Sequence, residues 1–355
     1  MKKGRFILFV SLILLTGLFL LGNNMIQPNK ANDKNATSFV KKDSVVKKKQ
    51  LPEKRLLSKS FKGDLYHWID QSTHELVEEM GEPTRKDISP YGYTWWVYTD
   101  QKEEYIQFGI EDKKVKTIFA AGENISTEPM KIGMTYEELK KTIDVKSKVT
   151  YKDGVNSYQF HLHDEDLLAH PLTQITENVF VENYFDTFSD KLIAVRILTG
   201  DVLLKHRAYE IQYRGPLPKE PKLNKKTWKQ VETGMERQIF DLSNVFRHYF
   251  GKPALRWDDT VREVAYLHSK DMAVHDYFSH YRLDGQGLKE RLAEKDVFYL
   301  TAGENIAAQY PDAPAAVLGW LNSVGHREAL LEKNYTHLGV GVYQFHYTQN
   351  FLNKP

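Results

Sequence analysis

The 355-residue chain contains no cysteine, which excludes disulfides, thiolate metal ligands, a cysteine nucleophile and lipid attachment at cysteine. Its length exceeds what one core usually supports and predicts two globular domains with extensions. The near-neutral balance of 49 Lys and Arg against 47 Asp and Glu hides a division: residues 1–60 hold 13 against 3, leaving 36 against 44 for the rest, and this acidic body has no basic patch interleaved with aromatics to hold nucleic acid.

The chain opens on the positive segment Met1-Lys2-Lys3-Gly4-Arg5, followed by an uncharged apolar run from Phe6 to Gly22. That pattern is an export segment. The run is at the short end for a spanning helix, and no convincing small-x-small cleavage site follows, so a signal anchor over residues 1–27 is favoured, with a cleaved signal peptide as the alternative. Lysines flank the run on both sides, and orientation therefore rests on export rather than on a charge bias. Residues 28–60, rich in Lys, Asn, Ser and Asp without a sustained period, read as a basic disordered linker. Its lysines suit an anionic lipid or wall surface, although a merely solvated tether is the simpler reading.

Residues 61–213 read as an α+β domain with a degenerate internal repeat. Ser72 to Met80 parallels Thr135 to Ile143, each a short amphipathic helix opened by a hydroxyl cap with Glu three positions on. Glu111 to Phe119 parallels Ser189 to Ile197, each a turn feeding a strand. Between them, alternation places Tyr91, Tyr93, Trp95 and Val97 on one strand face and Trp96 and Tyr98 on the other. A sugar-stacking platform is one account of these aromatics, but a buried sheet core is favoured. His161 and His163 near Asp164 to Asp166 read as strand surface beside an acidic loop rather than as a metal site.

Residues 214–230 read as a Pro/Lys-rich linker, opened by three prolines between Pro216 and Pro221. The second domain, 231–355, begins with a helix carrying Ile239, Leu242, Val245, Phe246 and Tyr249, ended by Gly251 and Pro253. A fragment from about Thr227 is expected to fold alone, with proteolysis first at the prolines. The next helix, capped by Asp258 or Asp259, carries Val261, Val264, Ala265, His268 and Met272 on one stripe and ends near His275. On that stripe His268 reads as a satisfied core histidine.

Three separated pieces follow: Phe278-Ser279-His280, Gly303-Glu304-Asn305, and Ser323-Val324-Gly325-His326-Arg327. Two imidazoles and a carboxylate can converge on a divalent ion or a polarised water, or form a hydrogen-bonded cluster that fixes three loops. Ser269, Ser279 and Ser323 adjoin histidines, but no nucleophile elbow surrounds them, which argues against a serine hydrolase.

With these motifs in order, joined by Asn244 and Arg247, Asp271-Met272-Ala273, Trp320, Gly339-Val340-Gly341 and Thr348-Gln349-Asn350-Phe351, the segment from Asn244 to Phe351 resembles a CAP domain. This is the superfamily of cysteine-rich secretory, antigen 5 and pathogenesis-related 1 proteins, here in a disulfide-free bacterial form. Tyr93, Trp95 to Tyr98 and Ile132-Gly133-Met134 make the first domain similar to the CAP-associated N-terminal domain of Bacillus-group extracellular proteins. The resemblance implies a three-layer α-β-α sandwich, preceded by a smaller α+β domain and the membrane-anchor helix.

It further implies a cleft with two histidines and two acids, carried over onto His280, Glu304 and His326. The second acid lacks a counterpart, since Ser323 stands where one is expected. His280 and His326 are then the metal candidates for a weakly bound divalent ion such as zinc, Glu304 the acid/base candidate, and Ser323, Arg327 and Asn305 the cleft support. Two functions follow: a cell-surface binding module for a lipid, wall fragment or peptide, outside the membrane or secreted after cleavage, or a metal-assisted, peptidase-like hydrolase. The missing acid favours binding.

Overall fold

The computed structural model describes residues 65–123 and 125–355; the expected signal anchor and basic linker lie outside them. Among the described residues no helix is long and apolar enough to cross a membrane.

The N-terminal domain runs through α1 (Thr73–Met80), β1 (Arg85–Ile88), β2 (Thr94–Thr99), β3 (Glu104–Glu111), β4 (Lys114–Gly122), β5 (Ser126–Thr127) and β6 (Met130–Lys131). It continues with α2 (Tyr136–Thr142), β7 (Lys148–Asp153), β8 (Asn156–His161), α3 (Asp164–Ala169), β9 (Leu172–Gln174), β10 (Val179–Asp186), β11 (Lys191–Thr199), α4 (Gly200–His206) and β12 (Glu210–Arg214). Seven strands form one sheet in the order β1-β2-β3-β4-β11-β10-β9, and β12-β8-β7 form a second. The paired sequence segments occupy matching places. Both α1 and α2 open on a full capping box, Ser72 with Glu75 and Thr135 with Glu138. Each cap residue also bridges the start of a strand, Ser72 to Lys114 and Thr135 to Lys191, and those two strands, β4 and β11, pair at the centre of the sheet.

Strand alternation sends Tyr93, Trp95 and Val97 to one side of this sheet, while Trp96 and Tyr98 pack on the other with α1 and α2. The aromatics are therefore core. His163 caps α3 and reaches Glu210, a surface role.

Gly215 to Asn224 lacks regular structure, but α5 (Lys225–Tyr249) begins inside the segment read as linker, opened by the Asn224 side chain. The C-terminal domain adds β13 (Arg256–Trp257), α6 (Asp259–His275), α7 (Leu288–Ala293), β14 (Thr301–Ala308), α8 (Ala313–Leu321), α9 (Val324–Leu331), β15 (His337–Tyr343) and β16 (His346–Asn353). Its sheet has the order β13-β15-β16-β14. Helix α6 lies directly on β15, where a Cβ at Gly339 or Gly341 would meet the α6 backbone at 2.2 and 1.9 Å, so only glycine permits the approach. Leu338, Val340 and Val342 face the other way, into the cluster that contains α5. Helices thus cover both faces of this sheet.

Two expectations are corrected. The N-terminal domain is the larger of the two, holding β1 to β12. Nor is the second domain's core wholly its own: Val261, Val264, Leu292 and Leu352 cluster within it, but a larger cluster joins Trp95, Phe119, Tyr184 and Leu198 to Ile239, Leu242, Trp320 and Tyr347. The reason is α5, which lies between the two sheets. Its Gly234, Gln238 and Asp241, at helical spacing, meet Asp87 and Arg85, while Glu236 accepts from the β15 N–H of Val342 and Glu232 from the N–H of Gln344. A helix buried on opposite faces cannot be divided from either neighbour without exposing apolar surface.

Candidate functional site

The site is built on β14, whose register with β16 pairs Gly303 with Phe351, Glu304 with Asn350 and Asn305 with Gln349. A Cβ at Gly303 would stand 2.3 Å from the Tyr335 hydroxyl, so any larger residue there would have to displace that ring. Alternation then sends Glu304 toward α6 and α7 and Asn305 toward α5.

On the α6 side, the Glu304 carboxylate is nearly sealed from solvent, with its side chain 4% exposed. Arg291 of α7, itself buried, donates to both oxygens at 2.8 and 3.0 Å and also holds the His280 carbonyl at 2.9 Å. His280 Nδ1 lies 2.9 Å from Glu304 Oε1, and since the carboxylate accepts, Nδ1 is the donor. Burial by itself raises the Glu304 pKa, but the His280 hydrogen bond and the Arg291 charge together hold it below the ordinary carboxylate value.

His268 is fully buried, as expected, yet it belongs to this cluster. Its Nε2 donates to the Ser279 carbonyl at 3.0 Å and stands 3.9 Å from Glu304 Oε1. Its Nδ1 has no protein partner among the described residues. Burial keeps the ring neutral, pushing its pKa down to about 4.

On the other side, Asn305 donates to the His326 carbonyl at 3.0 Å and to Gln349 at 3.2 Å, fixing the start of α9 against the sheet. His326 Nδ1 bonds the Ser323 hydroxyl at 2.8 Å, so the serine at the place of the expected acid supplies the ring's orienting partner. Burial and the nearby His280 lower the His326 pKa to about 4. Arg327 lies elsewhere. It turns from the cleft to Asp186 of β10 at 2.7 and 3.1 Å and so joins the contact between the domains.

Glu304 thus meets His280 directly, while His326 is held apart from the carboxylate by Ser323, and both carboxylate oxygens are engaged by protein donors. Among the described residues no three His, Asp or Glu side chains converge as a metal set. Two imidazole nitrogens are fewer than the three protein ligands of a catalytic zinc, so the donor set fits a resident zinc poorly. Arg291 is the functional residue that sequence reasoning missed. Its position in Leu288 to Ala293 looks like an ordinary short amphipathic helix, and nothing local marks the arginine as buried.

Residues 240–352 match the Cysteine-rich secretory protein family, and residues 69–209 match the CAP-associated N-terminal domain. The chain is 40% identical over 347 residues, 97% of each chain, to the uncharacterized membrane protein YlbC of Bacillus subtilis (strain 168). It is 34% identical over 121 residues to the uncharacterized protein YkwD of the same strain, spanning 34% of this chain and 47% of that one. Among solved structures, an extracellular protein containing an SCP domain from Bacillus anthracis str. Ames is 41% identical with a TM-score of 0.78, over 87% of this chain and 100% of that one. A cysteine-rich secretory protein from Staphylococcus aureus subsp. aureus Mu50, 24% identical with a TM-score of 0.73 over 82% and 96%, shares the fold.

Proposed function

For a chain that belongs to the cysteine-rich secretory protein family and carries a CAP-associated N-terminal domain, we propose a binding module displayed outside the cell membrane. The apolar run Phe6 to Gly22 supports tethering, with release into the medium if it is cleaved, and a membrane protein and an extracellular protein among its relatives agree with that location. The C-terminal domain serves as the α-β-α sandwich that displays the cleft. Its ligand is a lipid, a wall fragment or a peptide, gripped between His280 and His326.

The observation that carries this reading is the Arg291–Glu304 pair. A general base works best with a pKa near the operating pH and a free lone pair aimed at the substrate. Glu304 has neither. It is an anion fixed by two buried donors, and its chemical effect is to hold the His280 ring through Nδ1. A weakly bound divalent ion between His280 and His326 would be a transient guest of those rings rather than a cofactor.

The test is an NMR titration of the His280 and His326 ring nitrogens in the full chain. Phosphatidylglycerol bicelles, a peptidoglycan fragment and extended peptides are added in turn, with and without zinc. Saturable shifts without product support a binding module. Zinc-dependent hydrolysis that disappears in Glu304→Gln would overturn it in favour of a metal-assisted hydrolase.

A further inference from the structure

The hydrogen-bonding parity of β14 shows which of its main-chain groups lack a partner. Thr336 N–H donates to the Leu352 carbonyl, and Leu300 N–H donates to the Asn353 carbonyl. In a strand, the N–H and C=O of one residue point the same way and alternate along the chain. Even-numbered residues of β16 therefore bond β15, and odd-numbered ones bond β14. By the register, Thr301, Gly303, Asn305 and Ala307 use their main-chain groups on β16, while Ala302, Glu304 and Ile306 point theirs outward. The outer neighbour is missing, since β14 ends the sheet.

One outward group is satisfied internally: Trp320 Nε1 of α8 donates to the Ile306 carbonyl at 3.0 Å. Among the described residues no hydrogen-bond partner reaches the outward N–H and C=O groups of Ala302 and Glu304. Exposure agrees. The Glu304 side chain is 4% exposed, yet the residue as a whole is half-buried, so the accessible part is its main chain. The open stretch runs between His280, held to Glu304 on one face, and the start of α9, held to Asn305 on the other. Exposed apolar side chains lie close in sequence to these groups: Phe278 and Tyr281 on either side of Ser279 and His280, Leu300 just before the strand, and Val324 two residues before His326.

We propose that the ligand class of this cleft is an extended peptide that adds as a fifth strand along the β14 edge at Ala302 and Glu304. The proposal rests on the binding-module reading and narrows its ligand. An edge with alternating donors and acceptors is complementary to another strand's main chain, and to neither an acyl chain nor a sugar ring. Main-chain bonds supply affinity. Side chains at alternate positions of the peptide meet the Phe278–Tyr281 side and the Val324 side, which selects apolar residues there.

The test starts from a displayed random decapeptide library panned on the full chain in micelles, and the enriched peptide is then synthesised. N-methylation of its amides one at a time should cost about tenfold in affinity at alternate positions and less than about threefold at the intervening ones, because only one parity bonds the edge. Ala302→Pro removes an outward N–H without breaking a bond to β16, and edge strands tolerate proline, so it should cost about tenfold with an unchanged melting temperature. Should that variant misfold, the methylation pattern alone decides. Absence of enrichment, a loss indifferent to parity, or full binding by a folded Ala302→Pro overturns the proposal. So does a dimer of the chain that Ala302→Pro dissolves, since the edge would then belong to a second copy. If no peptide is enriched while bicelles or a wall fragment still shift the His280 and His326 signals, the peptide class fails and the binding module stands. If nothing shifts them, both fail.

Discussion

The contact between the domains and the cleft both use a buried arginine against a carboxylate, but they leave different groups open. At the contact, Arg196 is wholly buried, donates to both oxygens of Asp312 at 2.8 Å, and stands 3.2 Å from His206, whose other nitrogen meets the Tyr93 hydroxyl at 2.8 Å. Both terminal nitrogens of Arg196, both Asp312 oxygens and both His206 ring nitrogens are used within one buried network that pins α8 to the first sheet, with Arg196 Nε left over. In the cleft, Arg291 and Glu304 form a similar pair, yet the imidazole on that carboxylate is about half exposed and the neighbouring main chain faces outward. The same ion pair thus closes one site and presents another. Recognition is read from the groups left over, not from the buried charges.

Acidification separates the two regions with the largest expected effect. Burial holds His206 neutral with a pKa of about 3, and His268 and His326 at about 4, against an ordinary value of 6.5. Between those values the unfolded chain binds protons that the folded chain refuses, so stability is complete above pH 6.5 and falls as pH drops toward 4. The loss should be on the order of 5 kcal/mol across that range, followed by urea unfolding at stepped pH. In ring titrations at falling pH, His268 and His326 should protonate before His206. The reverse order would break the comparison.

Arg196→Met strands Asp312 in a closed interior and should cost about 3–5 kcal/mol in chemical denaturation, loosening both domains in one transition. Two separated transitions would show that the shared core is not cooperative. Arg291→Met should cost less, about 2–3 kcal/mol, because His280 still bonds Glu304 beside solvent, and the Glu304 carboxyl should titrate at higher pH than in the parent chain. His280→Ala comes last: a half-exposed ring gives up under about 1 kcal/mol of stability, measured by thermal melt, while ligand-induced shifts at His326 weaken.

Much of this was legible in the sequence because it is local. Helix caps at Ser72, Thr135 and Asp258, the aromatic alternation from Tyr91 to Tyr98, and the end of α6 at His275 depend on residues a few positions apart. The parts that were not legible depend on packing between distant segments. Arg327 adjoins His326 in sequence but bonds Asp186, 141 residues away. Arg291 sits in an unremarkable helix and is defined by a carboxylate on another strand. The apolar stripe of α5 was visible, but its second buried face reads as ordinary polar surface until Asp87 and Arg85 arrive from β1. That face is why an independent second domain was expected and a shared core was found.

Glu304 is a pinned anion that orients His280 for binding rather than a proton carrier. Titration of its side-chain carboxyl carbon by NMR in the full chain tests this most directly. The midpoint should lie below the ordinary value of 4.5, with the His280 ring signal responding to the same step. A midpoint between about 6 and 7 would give Glu304 the range of a working acid/base and contradict the account.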